Sequence, residues 1–528
     1  MNMPRSRTIN SPSPAMLRQQ RLPARITSVS PALALEGAIL VLSFIAALIG
    51  SATFVHSAWS LMAAVNYLWL CTFLFRLEPR GTVLILPQLI NMASSMAAMI
   101  MIEYRAEMFE LALVGRPGPW SSELNLCDLL FCGGAITAIR PLLAFIDRRK
   151  RDHLTPVLDR HADLLGSLIV GLIGLIALAM IFRGLQSGFP LLTGTDRFEF
   201  RRFSADKITL YGLNFKFAIS YALGFVSFVI PASRWLRLSA SAVFAALLII
   251  AFLFGDKFFI QLASLSAFAT PYLYCNYQKI GRRIIRYGAA AMLALAAMMA
   301  VTTFIYSNGF TETSAATTKR LSGRMVGQGE LWFLQSSIGG PLLTWNDAVI
   351  DRYQSSFAVK SVDLFAVQSS IGPHYFSNRY APNYLRASLQ KKAGSVTYTA
   401  VTEAMGLVLF GWIGLGIMMF ALGALLGLAC GYIAYAITTR SVISGVFAAY
   451  IYMQLRNSII QAAPWMLAGF YSVRWLGLFL AIELVMVVAA KAGSRTLEAH
   501  VHQRSRLDRA PSNGRRTRPL GRPRVSRP

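Results

Sequence analysis

Apolar runs of roughly 17 to 25 residues recur along the chain and are separated by short basic segments. A helix of about 20 apolar residues crosses a ~30 Å hydrocarbon core, so each run predicts one transmembrane helix. We count about twelve such runs, the last of them near residues 405–436, 442–461 and 467–490. The pattern predicts an all-α polytopic membrane protein.

The spacing of the runs divides the chain into parts of different character. We expect a disordered basic N-terminus, nine transmembrane helices with a basic loop at 183–211, a large polar loop, three further transmembrane helices and a disordered basic tail. These parts correspond to residues 1–32, 33–306, 307–398, 399–490 and 491–528.

Composition and charge support this division. The chain is 55% hydrophobic and 14% charged, which excludes a soluble domain, and its net charge is +27. The charge follows the positive-inside rule, because basic residues cluster in every second connection and in the tail. The tail contains eleven Lys and Arg but only two acidic residues, Glu498 and Asp508. We therefore expect both termini in the cytoplasm, basic segments at anionic lipid, and no nucleic-acid partner.

Motifs for cofactors are absent from the sequence. The five cysteines lie in or beside apolar runs, and the large polar loop has none, which argues against disulfides and zinc. There is no phosphate-binding glycine loop and no Asp-x-Asp motif for a metal-held nucleotide sugar. We expect neither a metal nor another cofactor.

Two outer connections contain basic residues against the positive-inside rule. The first carries Arg197, Arg201, Arg202 and Lys207, with Arg197 and Arg201 one helical turn apart. Planar guanidinium groups suit phosphate oxygens, although pairing with Asp196 and Glu199 in a solvated loop is the alternative. The second carries Lys257, which either binds phosphate or extends to the membrane surface.

The large polar loop and one apolar run hold the other candidates. Arg324, Gln328 and Trp332 lie in a glycine-rich stretch, where a tryptophan face suits a sugar. His374 and Tyr380 belong to a later mixture of aromatic and basic residues, which has a packed loop as its alternative. Arg456 lies deep in the run 442–461, where an arginine costs at least ~2.5 kcal/mol and so predicts a polar interior.

Several of these segments resemble the Wzy-type O-antigen polymerases, a family of bacterial polysaccharide polymerases. The resemblance rests on the segment from Gly188 to Arg197, the Gly-Asp-Lys hairpin ending at Lys257, the run from Arg324 to Glu330, the glycine-punctuated span after Glu403, and the triplet that begins at Arg456. It covers roughly residues 160–475. Asn457 stands where the family commonly has glycine, and Lys257 where it has arginine.

The resemblance implies a GT-C-like helical fold with a large periplasmic loop. It implies an enzyme of the bacterial inner membrane that joins polyprenyl-diphosphate-linked oligosaccharide repeat units, without a metal, next to a flippase and a chain-length regulator. In that interpretation the basic side chains Arg197, Arg201, Arg202, Lys257, Arg324 and Arg456 bind the diphosphate, Gln328, Trp332 and Tyr380 bind sugar, and Glu403 or His374 is the general base. An O-antigen ligase and a flippase or exporter without catalysis are the alternatives.

Overall fold

The described part of the chain is mostly α-helical and contains no β-strand. The computed structural model describes residues 30–53, 58–105, 120–149, 156–193, 195, 200–230, 233–256, 258–279, 297, 323, 326–358, 371–383, 386, 400–463, 477, 481 and 485. The chain forms two compact units, 1–479 and 480–528, and every helix named below belongs to the first.

Fourteen α-helices lie in these residues. They are α1 Pro31–Thr53, α2 Ala58–Leu77, α3 Pro79–Arg105, α4 Ser121–Arg149, α5 Pro156–Ser187, α6 Pro190–Thr193, α7 Lys207–Phe228, α8 Arg234–Leu253, α9 Phe258–Cys275, α10 Glu330–Ile338, α11 Asp347–Ala358, α12 Pro373–Tyr380, α13 Val401–Thr439 and α14 Val442–Gln461. A five-residue π-helix, Phe200–Ser204, precedes α7.

Seven of the described helices are long and apolar enough to cross a membrane. They include α1 to α5, α8 and α13, and their apolar side chains are exposed on the outside of the helix bundle, as Leu42, Leu175 and Ile417 illustrate. The prediction of a multi-pass helical membrane protein is therefore confirmed. Two of the predicted spans, 467–490 and one near 287–306, lie almost wholly outside the described residues.

Glycines on α13 hold this helix against α4. A Cβ atom on Gly423 would lie 2.0 Å from the carbonyl oxygen of Phe131, and one on Gly427 would lie 2.5 Å from that of Ala135. Gly134 on α4 is equally close, at 2.0 Å, to the carbonyl oxygen of Phe420. Small residues spaced four apart let helices in a membrane approach at backbone distance, so this pair forms the centre of the bundle.

The helix α13 is broken near its start. Gly411 has φ 71° and ψ −171°, which is not helical and which suits glycine. A Cβ atom on Gly406 would lie 2.3 Å from Cε of Met418, whereas an unbroken helix separates these residues by about 18 Å. The chain therefore turns back at Gly411, and residues 401–410, the folded-back segment, lie beside residues 412–418. Our prediction of one continuous span over 405–436 is wrong at this point.

Part of the large polar loop satisfies the backbone at this break. The amides of Trp412 and Ile413 donate to the carbonyl oxygens of Pro341 and Leu342 at 3.2 and 2.9 Å. In return, the amide of Thr344 donates to the carbonyl oxygen of Phe410 at 3.1 Å. A broken helix inside a membrane protein needs such partners, because lipid supplies none.

The large polar loop also contributes to the core. Eight of the nine residues of α10 are buried, and this helix packs on α13 and α3. Six of the eight residues of α12 are buried as well. The described helices α10 and α12 are thus integral parts of the bundle rather than a separate outer loop.

Candidate functional site

Arg456 lies on α14, five residues before the helix ends at Gln461. The helix has the predicted bounds, and at 1.5 Å per residue Arg456 lies about 7.5 Å from its end. The side chain is half-buried, with its guanidinium carbon 5.6 Å from the ring centre of Phe217 on α7. Its Nε atom is buried and has no hydrogen-bond partner among the described residues.

Two aromatic stacks fix α7 against α14 and so position Arg456. Phe217 stacks on Tyr452 at 5.4 Å, and Phe215 stacks on Tyr450 at 5.9 Å. The hydroxyl of Tyr452, one helical turn before Arg456, is buried and unpartnered within the described part of the chain. A half-buried cation with a buried, unpartnered Nε atom beside an unpartnered hydroxyl leaves hydrogen-bonding capacity for a ligand.

Lys216, which precedes Phe217 on α7, forms an ion pair with Asp256 together with Arg201. Its Nζ atom lies 2.5 Å from Oδ2 of Asp256, and Nη2 of Arg201 lies 2.7 Å from Oδ1 of the same carboxylate. Asp256 is buried, and Arg201, in the π-helix, has a buried Nε without a hydrogen bond among the described residues. Arg201 and Lys216 share this carboxylate, and Arg456 lies over Phe217, the residue that follows Lys216. We call Arg201, Lys216, Asp256 and Arg456 the basic centre.

Glu403 reaches the same end of α14 through the folded-back segment. The preceding residue, Thr402, donates its hydroxyl proton to the carbonyl oxygen of Ile459 and accepts from the amide of Ala462 at 3.1 Å. These two partners lie within two turns of Arg456. Glu403 itself is buried in the first turn of α13. The predicted base and the predicted diphosphate ligand therefore lie on elements that are joined directly.

His374 lies on α12, which is tied to the same point. The hydroxyl of Tyr353 on α11 donates to the carbonyl oxygen of Ala462 at 3.0 Å and accepts from the amide of Gly372 at 3.2 Å. Burial raises the pKa of Tyr353, so this phenol remains a proton donor. His374, the second residue of α12, follows Gly372 by two positions and is buried.

Tyr380, a predicted sugar ligand, is half-buried at the end of α12. The guanidinium of Arg379 lies over its ring at 5.5 Å and over the ring of Tyr375 at 5.7 Å. Burial raises the pKa of Tyr380, and the adjacent Tyr375 raises the pKa of Arg379. Arg379 is exposed and covers one side of the Tyr380 ring, so the binding of a sugar by Tyr380 stays a prediction.

Two predicted sugar ligands are buried instead. Trp332 is 0% exposed, donates its indole proton to the carbonyl oxygen of Trp120 at 3.0 Å and packs edge-on against Trp412. Its ring faces are occupied by the core, so the predicted stacking on a sugar is wrong. Gln328 is buried just before α10. The apolar neighbours that follow it, Leu331 to Leu334, explain why this stretch packs inward.

Three predicted phosphate ligands, Arg197, Lys257 and Arg324, lie outside the described residues, as does the side chain of Arg202. Of the predicted basic ligands, Arg201 and Arg456 are the ones whose contacts the structure describes: Arg201 pairs with Asp256, and Arg456 lies over the ring of Phe217. Within the described residues, no group of three or more His, Cys, Asp or Glu side chains is arranged to hold a metal ion.

Asp128 on α4 is a polar residue that our sequence analysis missed. It is 1% exposed, its Oδ2 atom has no hydrogen bond, and no ion pair involves it within the described residues. The carboxyl of Glu403 acts on it electrostatically. An acidic residue inside an apolar run indicates a functional position just as a basic residue does, but our sequence criterion for such positions considered only Lys and Arg. We call Asp128, Asn125 and Glu403 the acidic centre.

In comparisons with known proteins, one family model matches this region of the chain. The model of a family of unknown function, DUF6418, matches residues 368–478, which is less than half of the chain. The matched range includes α12, the folded-back segment and α14, and therefore His374, Glu403 and Arg456. No curated protein and no solved structure matched the chain.

Proposed function

We propose that the protein is a membrane glycosyltransferase that joins polyprenyl-diphosphate-linked oligosaccharide repeat units into a surface polysaccharide. In this proposal it works at the periplasmic face of the bacterial inner membrane, with both termini in the cytoplasm. The observation that carries the proposal is that Arg456 lies near the end of α14, while Thr402, next to the buried Glu403, is hydrogen-bonded to that same helix end.

The charge distribution supports an anionic leaving group. A diphosphate ester that departs from a sugar develops negative charge, and guanidinium and ammonium groups held in place stabilise it without reorganisation. Arg456 has a buried N–H without a partner among the described residues, and Arg201 has another. These donors suit phosphate oxygens, which accept several hydrogen bonds at once.

The proposed step balances as a simple displacement. A hydroxyl oxygen of the acceptor unit forms a bond with the anomeric carbon of the donor unit, while the bond from that carbon to the diphosphate oxygen breaks. The electron pair leaves with the polyprenyl diphosphate, and the hydroxyl proton passes to the base. Glu403 is our choice of base because its helix turn is bonded to the end of α14. His374 is the second candidate.

The test uses a strain that lacks the gene and is complemented with variants. Arg456→Gln is expected to lower polymer synthesis at least about 100-fold, the usual effect of removing one electrostatic donor. Arg234→Gln, an exposed arginine at the start of α8, is the matched control and should restore the ladder of polysaccharide lengths on a gel. A normal ladder from Arg456→Gln at normal protein level contradicts the proposal.

The intermediate that accumulates without the protein separates the alternatives. A polymerase defect leaves a single repeat unit attached to the acceptor core. A ligase defect leaves free lipid-linked polymer, and a flippase defect leaves single units at the cytoplasmic face. Either of the last two results replaces our proposal with the corresponding function.

A further inference from the structure

Asp128 and Asn125, two members of the acidic centre, have no role in the proposed reaction. Asp128 and Asn125 lie three residues apart on α4, and therefore on one face of the helix. The amide nitrogen of Asn125 donates to the carbonyl oxygen of Ala63 on α2 at 2.7 Å, so this face packs against α2.

Polar oxygens on this face have no hydrogen-bond donor. Oδ1 of Asn125 and Oδ2 of Asp128 are both buried and unpartnered within the described residues, and each residue is 1% exposed. Two adjacent acceptors without a donor point to a bound cation or proton, since a buried oxygen of this kind is normally satisfied.

Among the described residues, no positively charged group is paired with Asp128. The ionisable groups that interact with it electrostatically are acids or weak acids on three helices, namely Tyr67 and Cys71 of α2, Cys127 and Cys132 of α4, and Glu403 of α13. An ionised carboxylate in such a place is strongly disfavoured unless a cation compensates it.

We propose that Asp128 and Asn125 form a monovalent-cation site in the core of the bundle, occupied by a proton on Asp128 or by a sodium ion between the two oxygens. Because Glu403 faces this site, its occupancy controls the charge next to the folded-back segment. The evidence for this site does not depend on the proposed polymerase activity. The site is also compatible with a step that is coupled to the movement of an ion.

The test labels the purified full-length protein with a hydrophobic carbodiimide, which reacts with protonated carboxyl groups shielded from water, and maps the modified peptides. Asp128 should be modified at mildly acidic pH. For a bound proton, modification falls about tenfold for each pH unit once Asp128 ionises, with no effect of sodium. For a bound sodium ion, sodium chloride protects Asp128 at constant pH and choline chloride does not.

A second measurement keeps the proposal falsifiable if the reagent does not enter. Asp128→Asn has nearly the shape of the protonated acid, so it should fold and should lose the dependence of melting temperature on pH or sodium that the unmodified protein shows. The proposal is overturned if Glu123 or Glu403 is modified while Asp128 is not. It is equally overturned if Asp128→Asn and the unmodified protein respond identically to pH and sodium.

Discussion

The basic centre and the acidic centre differ in the counter-ions of their buried charged residues. In the basic centre, Asp256 is held between Arg201 and Lys216, and Arg456 lies over an aromatic ring. In the acidic centre, Asp128 has no counter-ion among the described residues. Both adjoin the folded-back segment, through Thr402 on one side and Glu403 on the other. In our proposals, the first centre receives an anion and the second a cation.

The largest expected effect comes from separating the helices that carry the two centres. Gly134→Ala places a methyl group 2.0 Å from the carbonyl oxygen of Phe420, and overpacking against backbone costs about 1–3 kcal/mol or more. We expect a clear loss of folded protein by size-exclusion chromatography and a lower melting temperature.

The neighbouring residue supplies the control for this variant. Gly133→Ala has no atom within 4 Å of its new methyl group, so it should fold at least as well as the unmodified protein. Equal behaviour of the two variants would refute the close packing of α4 on α13.

A comparable effect is expected from unbalancing the basic centre. Asp256→Asn leaves Arg201 and Lys216 without their shared carboxylate, and breaking a buried ion pair costs about 3 kcal/mol. The melting temperature should fall, whereas Asp351→Asn, at an exposed position on α11, should leave it unchanged. If Arg201→Gln in the Asp256→Asn background does not recover stability, the coupling between these residues is absent.

A smaller effect is expected from loosening the folded-back segment. Thr402→Val removes the hydroxyl that bonds Ile459 and Ala462, at a cost of about 1–2 kcal/mol. Polymer synthesis should drop more than stability, because Glu403 loses its position. Thr439→Val removes a hydroxyl bonded within the same helix and serves as the control. Equal activity of both variants would contradict the positioning role.

The smallest effect is expected at Tyr353. Tyr353→Phe removes the hydroxyl that joins α11 to Gly372 and Ala462, which costs about 1 kcal/mol. The protein should fold normally, and hydrogen exchange at the Gly372 amide should become faster. Unchanged exchange would mean that α12 is held by other contacts.

Hydropathy alone predicted most of the helices, because the length of an apolar run reflects the thickness of the bilayer. The charge pattern singled out Arg456 because a cation is costly within an apolar run, and Arg201 because it departs from the positive-inside rule; their role as ligands stays a prediction. The reversal at Gly411 escaped prediction, because the residues on both sides are apolar and read as one run. Trp332 was assigned to a surface because the composition of a loop does not reveal which of its residues pack inward.

The central claim is that the chain turns back at Gly411 and thereby brings Glu403, a member of the acidic centre, next to the end of α14. The most direct measurement is cross-linking of Gly406→Cys with Met418→Cys by a short thiol reagent, in a background where the exposed Cys275 is replaced by alanine. We predict an efficient intramolecular cross-link, and none for Gly416→Cys with Leu428→Cys, a pair equally spaced along the unbroken part of α13. If both single cysteines at 406 and 418 react but do not cross-link, the folded-back segment does not exist.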